Sequence, residues 1–161
     1  MHQKNGKICL QLWHVGRISH SELLPNNIAP QAPSAIRAKA KTFNSKGLVD
    51  VSEPEALEVD EIKSLTKKYV EAALNANKAG FDMIEVHAAN GYLIDQFLRD
   101  KTNHRTDEYG GTIENRTRFL LEVIDEIIKV YPANLIGCRI SPASTFNDID
   151  DSDPQSLYTV S

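Results

Sequence analysis

Three stretches of this chain set polar, hydrogen-bonding side chains directly after apolar runs. They are Gln11-Leu12-Trp13-His14-Val15-Gly16-Arg17, His87-Ala88-Ala89-Asn90-Gly91-Tyr92 and Arg139-Ile140-Ser141-Pro142. Taken singly, each has an ordinary explanation. His87 reads as a hydrogen-bonded core histidine or as a catalytic group. Asn90-Gly91 reads as a turn with Gly91 at positive φ. Tyr92 and Trp13 read as packing residues. Arg139 is harder to explain away, because a guanidinium inside an apolar strand needs a charged partner. The three stretches carry more weight together, since ligands of parallel α/β folds bind at the carboxyl ends of the strands. A second reactive set, His14, His20, His87 and His104 with Glu85, has neither HExxH nor Cys/His finger spacing, so no metal site is expected. The acidic run Asp148, Asp150, Asp151 and Asp153 lacks the glycine and distal glutamate of a calcium loop and reads as a solvated loop.

The elements that must position these residues follow from the hydrophobic pattern. Ile8–Trp13 is a short apolar run bounded by glycines, which suits a buried strand. Residues 18–57 hold Pro25, Pro30, Pro33 and Pro54 and read as one long irregular loop. Asp60 to Ala79 reads as a helix, with Asp60 as cap, an apolar face of Ile62, Leu65, Tyr69, Ala72, Ala73 and Ala76, and Gly80 just past its end. A strand at 82–87 follows at once. The segment 88–111 is polar and without a clear period. A second helix runs from about Thr112 to Val130, with Leu120, Val123, Ile124 and Ile127 on one stripe, and Pro132 stops it. Leu135–Ile140 is a third strand, 142–154 an acidic loop, and Gln155–Ser161 the start of another helix. Strands alternating with helices predict a parallel sheet. A doubly wound sheet and an eight-stranded barrel both fit, although neither GxGxxG nor a P-loop is present. Strand parity puts Gln11 and Trp13 on one face and Leu10 and Leu12 on the other. By the same count Cys9 shares the face of Gln11 and Cys138 faces away from Arg139, which argues against a disulfide between them.

With 161 residues, 41% hydrophobic and 25% charged, the chain has the composition of a globular domain that buries a core. A net charge of −4 argues against an electrostatic nucleic-acid partner. No apolar run is long enough for a transmembrane helix, and the first residues lack an apolar secretory segment. Two cysteines fit a reducing compartment, so a cytoplasmic protein is expected.

The strings QLWHVGRISHS, GFDMIEVHAANGYLIDQFLRDKTNHRTDEYGGTIENR and IGCRISP resemble the old yellow enzyme family of flavin-dependent ene-reductases. The similarity runs almost from end to end. It implies part of a TIM (β/α)8 barrel, with three parallel strands corresponding to the third, fourth and fifth. It implies FMN and NAD(P)H as cofactors and an enone or enal as substrate, hydride passing through the flavin to the C=C bond. By the same resemblance, Gln11 hydrogen-bonds the flavin's pyrimidine edge, and Arg139 sits beside the ring where negative charge gathers on reduction. His87 and Asn90 together grip the carbonyl oxygen. Tyr92 is the general acid, a phenol with an ordinary pKa of about 10 being protonated at neutral pH. Trp13 walls the substrate end. The resemblance makes Asn103, Arg105, Asp107, Tyr109, Gly110, Gly111, Glu114, Asn115 and Arg116 structural, with both arginines paired to carboxylates.

A whole barrel takes typically about 250 residues and eight strands, so residues 1–161 read as one incomplete barrel domain, with 18–57 as an active-site loop. Exposed edges predict self-association. The alternative to an enzyme is an inactive remnant or a split-barrel interaction module that needs a second polypeptide.

Overall fold

Leu10, Leu12, Ile84, Val86, Ala88 and Ile136 alternate with more polar neighbours along three stretches, and that period of two builds the sheet. The computed structural model describes residues 1–159. The chain runs β1 (Cys9–Leu12), β2 (Gln31–Ala32), β3 (Lys41–Asn44), β4 (Gly47–Asp50), β5 (Glu55–Ala56), α1 (Val59–Lys78), β6 (Met83–Ala88), α2 (Leu93–Leu98), α3 (Ile113–Ile127), β7 (Ile136–Ile140) and α4 (Pro154–Tyr158), with short 3-10 turns between some of them. The main sheet has the order β1-β6-β7, all parallel. Gln11 lies beside Glu85 and Glu85 beside Gly137, while His87 lies beside Arg139.

α1 and α3 cover one face of this sheet. Ile62, Leu65, Tyr69, Ala73 and Ala76 of α1 join Phe119, Val123 and Ile127 of α3 over Leu12, Ile84, Val86 and Ala88. Phe119 is fully buried, with its ring 4.9 Å from Phe97 and 6.3 Å from Tyr69. α1 begins one residue earlier than expected. Its cap is Glu58 rather than Asp60, and the Glu61 carboxylate reaches back to accept the Glu58 N–H at 2.8 Å. Gly80 follows the end of α1 at φ 85°, as expected for a residue past the C-cap.

Three readings of the loops need correction. Residues 18–57 are not structureless: β3 and β4 form an antiparallel hairpin across Ser45-Lys46, and β2 pairs with β5 in parallel. Within the polar segment after β6 lies α2, every residue of which is buried, Asp95 and Gln96 included. A six-residue helix is too short to display a helical period, and its buried polar residues imitate a surface loop. The acidic loop is not simply solvated. Asp151 is buried and pairs with the buried Arg116 at 2.6 Å, and Asp148 approaches Arg17, a guanidinium only 2% exposed, at 3.9 Å. Arg105 pairs with Asp107, so both arginines expected to find carboxylates do so. The expected final helix is α4. Its last two expected residues, Val160 and Ser161, lie outside the described residues.

Candidate functional site

Neighbours in a parallel register share a face. Gln11, Glu85, His87 and Arg139 therefore all lie on the face turned away from α1 and α3, with Cys9 beside them. Cys138, beside Val86, lies on the opposite face, and both thiols are free.

Two groups form on the open face. The first is a polar row: Gln11 Nε2 donates to Glu85 Oε1 at 2.6 Å, and Arg139 Nε donates to the same oxygen at 2.9 Å. The charged partner demanded by Arg139 is thus Glu85, although Arg139 is more exposed than a buried strand arginine, at 56% of its side chain. The Arg139 hydrogen bond, followed by that from Gln11, holds the Glu85 carboxyl below the usual carboxylate range. Glu85 was not singled out for this row. The available signal was a carboxylate at the same strand parity as His87 in MIEVHA.

The second group is aromatic. The Trp13 ring is 4.8 Å from Tyr92 and 6.1 Å from His87, and the His87 and Tyr92 rings are 5.4 Å apart. β1 carries Trp13 past its end, β6 carries His87, and the turn after β6 carries Tyr92 to the residue before α2. His87 is 5% exposed, and its Nδ1 has no hydrogen-bond partner among the described residues. Burial, then the positive charge of Arg139, pushes the imidazole pKa down, so the neutral ring is favoured.

Asn90 lies in the turn between His87 and Tyr92. It sits at φ 59° and Gly91 at φ 74°, as a turn there requires. The six site residues named from the sequence, Gln11, Trp13, His87, Asn90, Tyr92 and Arg139, therefore fall on the ends of β1, β6 and β7 or the turn beyond β6. Their surface is a shallow wall. A cavity of about 230 Å³ borders Gln11, Trp13 and His14, and another of about 430 Å³, lined by Arg37, Ala38, Lys39, Ala40, Lys41 and Asp50, lies at the hairpin, where Ala38 belongs to the apolar cluster against which Ala40 and Tyr92 pack. Among the described residues no three His, Cys, Asp or Glu side chains gather as metal ligands, and no helix is long and apolar enough to cross a membrane.

The wall offers an amide and a guanidinium along one edge and an aromatic corner with an unpartnered ring nitrogen at the other. That donor set suits a planar heteroaromatic group with polar edges.

Comparison with known proteins agrees in sequence and in fold. The family model described as NADH:flavin oxidoreductase / NADH oxidase matches residues 1–160. The chain is 45% identical over 157 residues to 12-oxophytodienoate reductase 1 of Oryza sativa subsp. japonica, a match covering 98% of this chain and 40% of that protein. It is 44% identical over 155 residues to a flavin oxidoreductase of Emericella nidulans, covering 96% and 39% respectively. Among solved structures, a morphinone reductase in complex with tetrahydroNAD superposes with a TM-score of 0.92 at 46% identity, covering 97% of this chain and 45% of that one. An old yellow enzyme homologue from Zymomonas mobilis gives 0.93 at 42% identity, covering 98% and 44%. The chain thus spans about two-fifths of the length of the curated relatives it matches. Its α/β architecture corresponds to part of their barrel.

Proposed function

The chain belongs to the NADH:flavin oxidoreductase / NADH oxidase family, and from that premise we propose that it serves an FMN-dependent ene-reductase, which uses NAD(P)H to saturate the C=C bond of α,β-unsaturated carbonyl compounds. β1, β6 and β7 are then the third, fourth and fifth strands of the barrel. The carrying observation is the meeting of the Gln11–Glu85–Arg139 row with the Trp13–His87–Tyr92 rings on one sheet face. FMN, when bound, supplies the hydride transfer between nicotinamide and the β-carbon. The chain's own residues do the rest.

Gln11 and Arg139 hold the ring edge, and the Arg139 charge favours negative charge beside it. Glu85 fixes both donors in direction by accepting from each. His87 and the Asn90 amide donate to the substrate carbonyl oxygen, where charge grows during reaction. Tyr92 gives its proton to the α-carbon. Trp13 packs against both rings and sets the breadth of the substrate corner.

FMN fluorescence titration of the purified chain tests this reading. Quenching that weakens on Gln11→Ala, together with NADPH oxidation that depends on added 2-cyclohexen-1-one, is expected. A chain that shows neither quenching nor enone-dependent oxidation overturns it.

One observation favours a second reading, a module that completes a barrel with another polypeptide: Ile140 on the helix-side face of β7 is 47% exposed. Gel filtration with candidate partners separates the two readings.

A further inference from the structure

The turn that carries Asn90 is held from outside its own loop. The Asn90 backbone N–H donates to Ser141 Oγ at 2.7 Å, and the Asn90 carbonyl accepts from Asn147 Nδ2 at 2.9 Å. Both partners come from the segment after β7. The next amide, Gly91 N–H, donates to Asp95 Oδ2 at 2.9 Å, and Ser141 Oγ donates to the same oxygen at 3.4 Å. Asp95 is fully buried and pairs with the buried Arg99 at 3.0 Å, whose other arm donates to the Ser141 carbonyl at 2.8 Å. Ser141 is thus bound at its hydroxyl and at its carbonyl. Asparagine enters the left-handed region more readily than other side-chain-bearing residues, and at Asn90, φ 59°, these hydrogen bonds select it.

We propose that Ser141 is a positioning residue for the substrate carbonyl grip: its hydroxyl, backed by the Asp95–Arg99 pair, locks Asn90 in the left-handed conformation of the turn that carries its amide. Ser141 touches neither substrate nor cofactor in this assignment. It follows β7 directly and keeps the face parity of Arg139, two residues earlier, so the chain leaving the strand that bears the ring-edge cation also sets the oxygen-binding turn after β6. Asn147 holds the following peptide, through the Asn90 carbonyl. The inference rests on the function proposed above.

The test has two arms on the whole chain. In the first, backbone amide exchange is followed by NMR without any cofactor. Ser141→Ala is expected to speed exchange of the Asn90 amide roughly five- to tenfold, as for loss of one hydrogen bond, while Val123 and Ala73 in the covering helices are unchanged. Ser141→Thr, which keeps the hydroxyl, is expected to restore protection, and Asn147→Ala, which frees the adjoining Asn90–Gly91 peptide, gives a second perturbation of the same turn should the serine variant fold poorly. Unchanged Asn90 exchange in both variants overturns the proposal. In the second arm, the FMN-loaded protein with Ser141→Ala is expected to show a severalfold higher KM for 2-cyclohexen-1-one with a smaller change in kcat. An unchanged KM alongside faster Asn90 exchange also overturns it. Wild-type protein that shows no enone turnover speaks against the proposed function instead, and the exchange arm then decides the positioning role alone.

Discussion

Glu85 accepts from Gln11 and from Arg139 at once, so its titration reports on the whole polar row. A carboxyl whose folded pKa is depressed contributes stability that is complete above its unfolded value of about 4.3 and is lost as pH falls through the lower folded value. Arg139→Ala is expected to move the Glu85 midpoint back up toward that ordinary value, read by carbon NMR of the side-chain carboxyl. An unmoved midpoint removes the ion pair from the site. His87 acts in the same sense at a higher pH. Its pKa is lowered in the folded chain by burial and by Arg139, so the unfolded chain takes up the proton first, and this residue costs stability as pH falls below about 6.5. Replacing Tyr92 by Phe is expected to cut kcat for enone reduction by about 10²-fold, the lower range for a lost general acid, in steady-state NADPH oxidation. A variant as fast as the parent assigns the proton to another donor. Gln11, Trp13, His87, Asn90, Tyr92 and Arg139 were legible because each sits at or just past the end of an apolar strand. Glu85 was not, because a lone carboxylate within a strand looks the same whether it meets water or a neighbouring strand's guanidinium.

The turn between β6 and α2 is the least forgiving element. A Cβ on Gly91 would lie 2.6 Å from the Phe146 carbonyl oxygen and 2.8 Å from the Asn147 Cβ, at φ 74°. Gly91→Ala is accordingly expected to destabilise the fold by about 2–3 kcal/mol, from backbone strain and overpacking together, as a lowered urea midpoint. A midpoint within error of the parent means the loop after β7 is free to move away. In the helix layer, Phe119→Ala removes a fully buried ring between Phe97 and Tyr69 and is expected to cost about 3–5 kcal/mol in the same assay. α1 and α3 were readable from periodicity because each is long enough to repeat its apolar stripe. α2 and the β3–β4 hairpin were hidden for a different reason. Their short lengths leave no period, and their stability comes from contacts with residues far away in the chain, such as the hydrogen bond from Arg17 N–H to Gln96 Oε1.

At the scale of the molecule, among the described residues, the sheet has two unpaired edges, β1 and β7, and α1 and α3 cover one of its faces. Trp13, Phe43 and Phe146 add exposed apolar area, at 52%, 72% and 61% exposure. Such edges template pairing, so the chain is expected to elute in gel filtration at a size that grows with concentration, and Ile140→Lys is expected to reduce that growth. A concentration-independent monomer shows the edges to be protected. The barrel class was readable from strand–helix alternation and from the motif strings, but the clasps that close the fold were not, because charge runs in a sequence do not reveal their partners. The longest of these clasps bears on how the protein is born. Arg17 donates to the Asp148 carbonyl across 131 positions. At about 5–20 residues per second, a ribosome needs roughly 7–26 seconds to make the second partner after the first. During that interval the guanidinium can reach only its nearer partner, the Ile36 carbonyl, to which Nη1 donates at 3.1 Å, so the clasp between the β1 end and the segment after β7 closes once synthesis has passed β7.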